Sequence, residues 1–337
     1  AEPAEWEGDP RPPDSFCDPT ILAPMAWAEV AYVDDLAVLL RAPSNEELVD
    51  MAKAAVSATL QATACRGLEL TFGAGKTELL LALRGAQTRR WKEDFHQAGQ
   101  TISCQRADKD DVITMPVVLS YKHLGTWVHN DGKPMHAVRE RVTAARKAWG
   151  PLVRPLFAKR CVEARTKLQV FESLVLSRFL FNVHTWSYLP QKALDAWENG
   201  LRPMLYALAK AKLRGLPPFT FSTSTLCGLC GLLTPRDALH LARLRYVKRL
   251  LTHCPAILWA YLRDVETIED SWMFHLRASF AWLARFSATH FGLTGDSTLE
   301  DWIVFVAADG QWKGRLKRAV KSCRIYRGTH ADRSEER

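Results

Sequence analysis

The sequence predicts an α+β fold in which a small antiparallel sheet with a packed helix precedes a mostly α-helical region. Short β-prone runs with one helical segment occupy the part before residue 132, whereas amphipathic helical spacing dominates after Pro134. The length of 337 residues exceeds that of a usual single domain, which favours at least two domains.

The first predicted element is a β-hairpin within residues 27–40. Two apolar, β-prone runs flank Val33-Asp34-Asp35, which indicates a tight turn. Adjacent aspartates at a hairpin tip repel one another unless something binds them, and Mg²⁺ prefers carboxylate oxygens. The alternative is a polar turn in which aspartate serves turn chemistry alone.

A helix follows the hairpin. Ser44 with Glu47 three residues later is a capping-box signature, and apolar residues then recur at helical spacing. Gly67 lies where the end of the helix is expected. These signals predict one helix between Ser44 and Gly67.

More short strands are predicted after this helix. Residues 68–72 and 77–83 indicate strands joined by a Gly-rich loop that contains Lys76. The polar residues 84–115 indicate an inserted loop or hairpin, and residues 117–128 indicate a strand pair.

The rest of the chain is predicted to be helical. Prolines separate long amphipathic stretches at about residues 135–149, 159–188, 191–212 and 235–251, with more from 257 to about 291.

Charge is distributed unevenly along the chain. Residues 1–35 hold nine acidic residues and one arginine, and the remainder holds 44 basic and 28 acidic residues. Such a basic body indicates a polyanionic partner. The absence of an 18-residue apolar run predicts no membrane partner. The dispersed cysteines predict an intracellular setting, without distinguishing nucleus from cytoplasm.

Three motifs, taken together and in order, resemble one known family. Ala31-Tyr32-Val33-Asp34-Asp35-Leu36 resembles the catalytic motif of reverse transcriptases, especially those of non-LTR (LINE-like) retrotransposons. Residues 67–78 resemble the family's next block, a strand and loop with a lysine, and Tyr121-Lys122-His123-Leu124-Gly125 resembles its primer grip. The resemblance extends over about residues 26–190.

The resemblance implies a domain organisation. Residues 26–132 would form part of a polymerase palm and residues 133–215 a helical thumb. Residues 1–25 would be an irregular, acidic, Pro-rich lead-in, and residues 216–337 a helical C-terminal region of unknown role.

The resemblance also implies a reaction, RNA-templated DNA synthesis by two-metal nucleotidyl transfer. Asp34 and Asp35 would hold Mg²⁺, two ions in the complete enzyme, and Lys76 would steady the pyrophosphate leaving group. The implied partners are an RNA template, a DNA primer and a dNTP. The alternative for Lys76 is a solvated loop lysine.

A basic segment suits the implied thumb. Residues 139–167 hold nine basic and two acidic residues, with Trp149 and Phe157 interleaved. This composition predicts non-specific contact with the phosphate backbone of an A-like duplex, although a solvated helix face is the alternative. The predicted nucleic-acid-binding residues are Tyr121, Lys122, Leu124, Gly125, Arg139, Arg141, Arg146, Lys147, Lys159 and Arg160.

A complete palm needs a further metal-binding aspartate and a fingers region, which in this family precede the catalytic hairpin. Residues 1–25 do not resemble either, so both are expected before residue 1. We therefore expect a reverse transcriptase fragment with weak or absent Mg²⁺ binding and no polymerase activity of its own. The alternative is a helical nucleic-acid-binding or scaffold protein whose palm remnant is structural.

Two rival motifs are weaker. Gly73-Ala74-Gly75-Lys76-Thr77 resembles the tail of a phosphate-binding P-loop, but position 70 is leucine where that motif needs glycine, and no helix is expected afterwards. Cys227 and Cys230 have zinc-ligand spacing without a well-defined second pair, which favours buried or free thiols.

Overall fold

The computed structural model describes residues 27–32, 35–73, 76–85, 88–97, 99–105, 112–123, 125–213, 220–287 and 293–333. These residues are mostly helical and include a small mixed three-stranded sheet, which confirms the α+β class. The chain divides into two compact units. Among the described residues, the sheet unit extends to Ala137 and the helical unit begins at Val138.

Short strands and two helices form the sheet unit where it is described. In chain order the elements are β1 (Trp27–Tyr32), β2 (Asp35–Leu40), α1 (Asn45–Ala64), β3 (Leu79–Leu80), α2 (Thr88–Gln97), β4 (Thr101–Gln105), β5 (Val112–Val118), β6 (Ser120–His123) and β7 (Thr126–His129). Strands β1 and β2 form one antiparallel pair, and β6 and β7 form another. Strand β5 lies between β3, which is parallel to it, and β4, which is antiparallel. The prediction of a purely antiparallel sheet is therefore wrong for β3.

Local sequence accounts for both ends of α1. The Ser44 hydroxyl accepts a hydrogen bond from the Glu47 backbone N–H at 3.2 Å, which satisfies one free donor of the first turn. At the other end Gly67 has φ +69°, and the Leu68 N–H donates to the Thr63 carbonyl at 2.9 Å. This is a Schellman ending, and it confirms the predicted helix and its glycine stop.

The segment after α1 differs from its prediction. Residues 68–72 do not form a strand, and only an isolated bridge joins Phe72 to Thr77. The predicted strand over 77–83 is reduced to β3. Within 84–115 the antiparallel pair of β4 and β5 confirms the predicted hairpin, whereas α2 was not predicted. Trp91 and Phe95 of α2 lie one helical turn apart and pack against the core of the unit. The signal was present in the sequence, because Trp91 and Phe95 share one side of an otherwise polar helix.

The helical unit is described by α3 (Met135–Leu152), which crosses the unit boundary, and by the elements after it. These are α4 (Ala164–Val170), α5 (Ser177–Phe179), α6 (Gln191–Ala209), α7 (Thr223–Cys230), α8 (Pro235–His253), α9 (Ala256–Asp264), α10 (Trp272–Ser287), α11 (Leu299–Ala308) and α12 (Trp312–Arg333). Helix α7 packs against both α6 and α12, so the structure joins the regions on either side of residue 215 in one unit.

One long predicted helix is broken. Instead of a continuous helix over 159–188, α4 is followed by a π-helical segment (Phe171–Leu176), by α5 and by a 3₁₀ turn (Val183–Thr185). The wider π turn keeps Phe171 and Val175 fully buried. Asn182, with φ +57°, then redirects the chain.

Helices α8, α10, α11 and α12 enclose the main core of the unit. Trp302 and Phe280 stack with ring centroids 4.9 Å apart. Leu244, Leu276 and Val306 belong to the same core and are fully buried. Elsewhere, a Cβ on Gly200 of α6 would overlap the Val142 methyl groups of α3, so this glycine permits the close approach of the two helices. No helix in the described ranges is long and apolar enough to span a membrane.

Candidate functional site

The predicted catalytic hairpin is present in the backbone of the sheet unit. Strands β1 and β2 pair antiparallel from Trp27 opposite Leu40 to Tyr32 opposite Asp35. Asp34 lies outside the described residues, and Asp35 is described only as the first backbone position of β2. Helix α1 packs against both β2 and β4, so it connects the hairpin to the three-stranded sheet.

Two motifs that are far apart in sequence meet in this unit. The Tyr121 hydroxyl, on β6, donates a hydrogen bond to the Lys76 backbone carbonyl at 3.4 Å, across 45 positions of sequence. Lys76 is itself exposed, in the loop just before β3. The predicted lysine loop and the primer-grip-like hairpin are therefore neighbours.

The loop around Lys76 is not a P-loop in its described part. The Lys76 N–H donates to the Gly73 carbonyl at 3.0 Å, and the Thr77 N–H donates to the Thr71 carbonyl at 3.1 Å. The chain then enters β3, whereas a phosphate-binding loop must lead into a helix. The NTPase reading therefore fails.

The hairpin of β6 and β7 contains the remaining residues predicted in this unit. Tyr121 pairs with Val128 and Lys122 with Trp127, and the Lys122 side chain is exposed. Gly125 has φ +79°, a conformation that favours glycine at the turn. Leu124 lies outside the described residues.

The other predicted nucleic-acid-binding residues belong to the helical unit. Val138, Val142 and Ala145 form the buried face of α3. Arg139 and Arg146 lie seven residues apart, and they and Lys147 are exposed. These three side chains are available to a polyanion.

Three more predicted basic residues are placed differently from one another. Lys159 and Arg160 are exposed in the loop before α4, where the Lys167 ammonium donates to the Lys159 carbonyl at 2.6 Å. Arg141 is half-buried and lies over the Phe181 ring, 5.2 Å from its centroid. Burial lowers the pKa of the Arg141 guanidinium, so this residue is partly a packing element.

The two aromatic residues interleaved in this basic segment pack inside the helical unit. Trp149 stacks on Phe157 with ring centroids 4.0 Å apart, and its edge meets Phe171 at 5.8 Å. Phe157 is 7% exposed and Phe171 is fully buried. Because these rings pack on one another, they offer no stacking platform for bases.

The helical unit contains a buried carboxylate that was not predicted from the sequence. Asp237, 2% exposed, accepts hydrogen bonds from the Arg327 guanidinium at 3.1 Å and from the Trp282 indole N–H at 2.9 Å. Its backbone N–H also donates to the Thr234 cap hydroxyl. Burial alone would raise the pKa of Asp237, but the Arg327, Thr234 and Trp282 hydrogen bonds outweigh it and lower that pKa. The Thr234-Pro235 helix start was a readable signal, whereas partners 45 and 90 residues away were not.

The two zinc candidates are neighbouring thiols on α7. Cys227 is fully buried, and burial raises its pKa well above the ordinary thiol value. Burial likewise raises the pKa of Cys230 to about 11. A zinc site requires thiolates, which this environment disfavours. Within the described ranges, no group of three or more histidine, cysteine or acidic side chains could hold a metal ion.

The predicted site residues thus fall into two sets, one in each unit. Lys76, Tyr121, Lys122 and the catalytic hairpin belong to the sheet unit, and the exposed basic face of α3 belongs to the helical unit. No protein-family model, curated protein or solved structure matches this chain.

Proposed function

We propose that this chain is part of a non-LTR reverse transcriptase, with the catalytic-loop part of the palm in the sheet unit and the thumb in the helical unit. The family reaction is RNA-templated DNA synthesis. Asp34 and Asp35 would hold Mg²⁺, and Lys76 would act on the leaving pyrophosphate.

The contact between Tyr121 and Lys76 carries most of the proposal. In the family resemblance, the lysine loop and the primer grip belong to separate blocks that serve one substrate complex. The hydrogen bond at 3.4 Å brings these blocks together in a chain whose sequence separates them by 45 residues. This proximity is what the resemblance requires of the two blocks.

The order of elements supports the same proposal. An antiparallel hairpin leads into a capped helix, then a lysine loop, a mixed sheet, a second hairpin and a helical region. The second hairpin is followed directly by α3, which presents Arg139, Arg146 and Lys147 to solvent. Exposed cations on a rigid helix suit contact with a phosphate backbone.

The first test addresses the thumb. A short fluorescent RNA·DNA hybrid is titrated with wild-type protein and with Arg139→Gln/Arg146→Gln/Lys147→Gln. If all three side chains contact phosphates, the slope of log K against log[KCl] becomes shallower by about 2 to 3. The matched control removes three exposed charges elsewhere in the helical unit, Lys192→Gln/Lys210→Gln/Arg249→Gln. Equal slopes for the two variants would refute the thumb assignment.

The second test addresses the carboxylates. Mn²⁺ binding, followed by electron paramagnetic resonance, is compared between wild type and Asp34→Asn/Asp35→Asn. We expect weak binding that the double substitution removes. We also expect that this chain alone does not extend a primer in the presence of Mg²⁺ and dNTPs. Incorporation that the double substitution abolishes would overturn that part and show a complete active site.

A second candidate is a helical nucleic-acid-binding or scaffold protein with a structural palm remnant. It is favoured by one observation, namely that the exposed basic face of α3 lies in a different unit from the catalytic hairpin. It predicts that Asp34→Asn/Asp35→Asn changes neither Mn²⁺ affinity nor hybrid binding, while the α3 substitutions still weaken binding.

A further inference from the structure

Helix α12 carries a charge excess that the proposed thumb does not use. Its 22 residues include eight lysines and arginines, whereas Asp332 is its one acidic residue. The helix lies far from α3 in sequence, and nothing in the reverse transcriptase resemblance reaches it.

The structure separates seven of these cations into two sets, and the side chain of Arg333 lies outside its description. Three arginines are engaged in ion pairs, Arg315 with Asp309 at 2.7 Å, Arg324 with Glu172 at 3.0 Å and Arg327 with Asp237 at 3.1 Å. These pairs attach α12 to the rest of the helical unit, so the three arginines have a structural role.

The second set comprises Lys313, Lys317, Arg318 and Lys321, which we call the α12 basic face. All four side chains are exposed, and no carboxylate in the described part of the chain pairs with any of them. The three lysines recur every four residues, so they lie along one side of the helix over about 12 Å. That length spans about three to four phosphates of one strand of a duplex.

Helix stability does not explain the α12 basic face. Like charges four residues apart destabilise a helix, and Lys313 lies in the first turn, where the helix dipole disfavours a cation. A bound polyanion would relieve both effects. Charge complementarity therefore indicates an anionic partner for this face.

The buried side of α12 discriminates between two anionic partners. A helix that lies in a membrane surface needs a free apolar face beside its cations. Here the apolar residues Trp312, Leu316 and Cys323 are buried in the core, and the Trp312 indole N–H donates to the Leu244 carbonyl at 2.9 Å. Ile325 is exposed, but a single side chain does not form an apolar face. This side is unavailable to lipid, which favours a polyanion bound by charge alone.

We propose that the α12 basic face binds the phosphate backbone of a nucleic-acid duplex without reading its sequence. The choice of nucleic acid rests on the proposed function, but the residues are separate from the thumb. The Arg324–Glu172 ion pair fixes α12 to the π-helical segment after α4, and α4 itself presents the exposed Arg165. The face thus adjoins the proposed thumb within one unit.

The test removes the four charges with Lys313→Gln/Lys317→Gln/Arg318→Gln/Lys321→Gln, since glutamine has a helix propensity close to that of lysine. Binding of the full chain to a short fluorescein-labelled DNA duplex is followed by anisotropy between about 50 and about 200 mM KCl. We expect the slope of log K against log[KCl] to become shallower by about 3 to 4. The matched control is Arg178→Gln/Lys192→Gln/Lys210→Gln/Arg249→Gln, which removes four exposed charges from other elements.

The outcomes separate this proposal from the proposed function. A shallower slope of log K against log[KCl] in the α12 variant than in its control supports duplex binding by the α12 basic face. This holds even if the α3 variant has no effect and the thumb assignment fails. Equal slopes for the α12 variant and its control overturn it, whatever the α3 variant does. Loss of binding to phosphatidylserine vesicles with unchanged duplex binding would assign the face to membranes and also overturn it. Circular dichroism confirms that each variant is folded.

Discussion

The sheet unit and the helical unit differ in where their buried side chains lie. The buried core described in the sheet unit is small, with Val49, Leu81, Ile102 and Cys104 at its centre. In the helical unit a continuous core runs through α8, α10, α11 and α12 and buries rings as large as Trp302. The recognisable motifs nevertheless lie in the sheet unit.

The short motifs and the large buried core therefore lie in different units. The motifs at the hairpin, the lysine loop and Tyr121 are short and local, so they can be recognised without a large core. The helical unit is held by apolar burial and by a buried ion pair, features that many different sequences can provide. We therefore expect substitutions in the helical unit to affect global stability most.

The largest expected effect comes from Asp237→Ala. The substitution leaves the Arg327 guanidinium and the Trp282 indole N–H without their acceptor, and it removes the hydroxyl partner at the start of α8. Since breaking a buried pair is costly and Arg327 is only partly exposed, we expect a loss of about 3 kcal/mol in the free energy of unfolding. Urea unfolding followed by tryptophan fluorescence measures it, since Trp282 and Trp302 lie in this unit.

Asp296→Ala is the matched control for Asp237→Ala because Asp296 is exposed on the same unit. It should change the free energy of unfolding by less than about 0.5 kcal/mol. Similar losses in the two variants would show that the Asp237 network does not hold the helical unit together.

A smaller effect is expected from the titration of His240. Burial, assisted by Arg243, lowers the pKa of His240 to about 4, while the nearby Asp237 opposes the shift. Because the unfolded histidine takes up its proton near pH 6.5, its contribution to stability is complete above about pH 6.5 and is lost as the pH falls towards 4. At about pH 5 the loss should reach about 2 kcal/mol.

The His240 prediction is checked by urea unfolding at two pH values, in wild type and in His240→Gln. The ring stacks on Trp282 at 6.0 Å and its Nδ1 lies 3.1 Å from the Ser279 hydroxyl, so the substitution also lowers stability at neutral pH. The deciding quantity is the change in the free energy of unfolding with pH, which should be smaller in the variant than in wild type. An unchanged slope would assign the acid sensitivity to other groups.

Prediction from sequence succeeded where the signal is local. The Ser44 cap, the Gly67 stop and the two hairpins each depend on a few adjacent residues, and each is found in the backbone. It failed where distant contacts decide. Nothing near Asp237 in sequence reveals its partners Trp282 and Arg327, which lie 45 and 90 residues away.

The smallest expected effect lies in the sheet unit and tests whether its stability is local. Ser44→Ala removes the hydroxyl that accepts the Glu47 N–H at 3.2 Å, which should cost about 1 kcal/mol. Hydrogen exchange should become faster in peptides from α1 and stay unchanged in peptides from α8. Ser44→Asp should restore protection, because aspartate caps equally well and favours the helix dipole.

If protection in α8 also falls, opening of α1 is coupled to the helical unit, and the contrast between the two units disappears. If it does not, the hairpin that carries Asp35 is anchored by a helix of its own unit, and its chemistry can be altered without loss of the core in the helical unit.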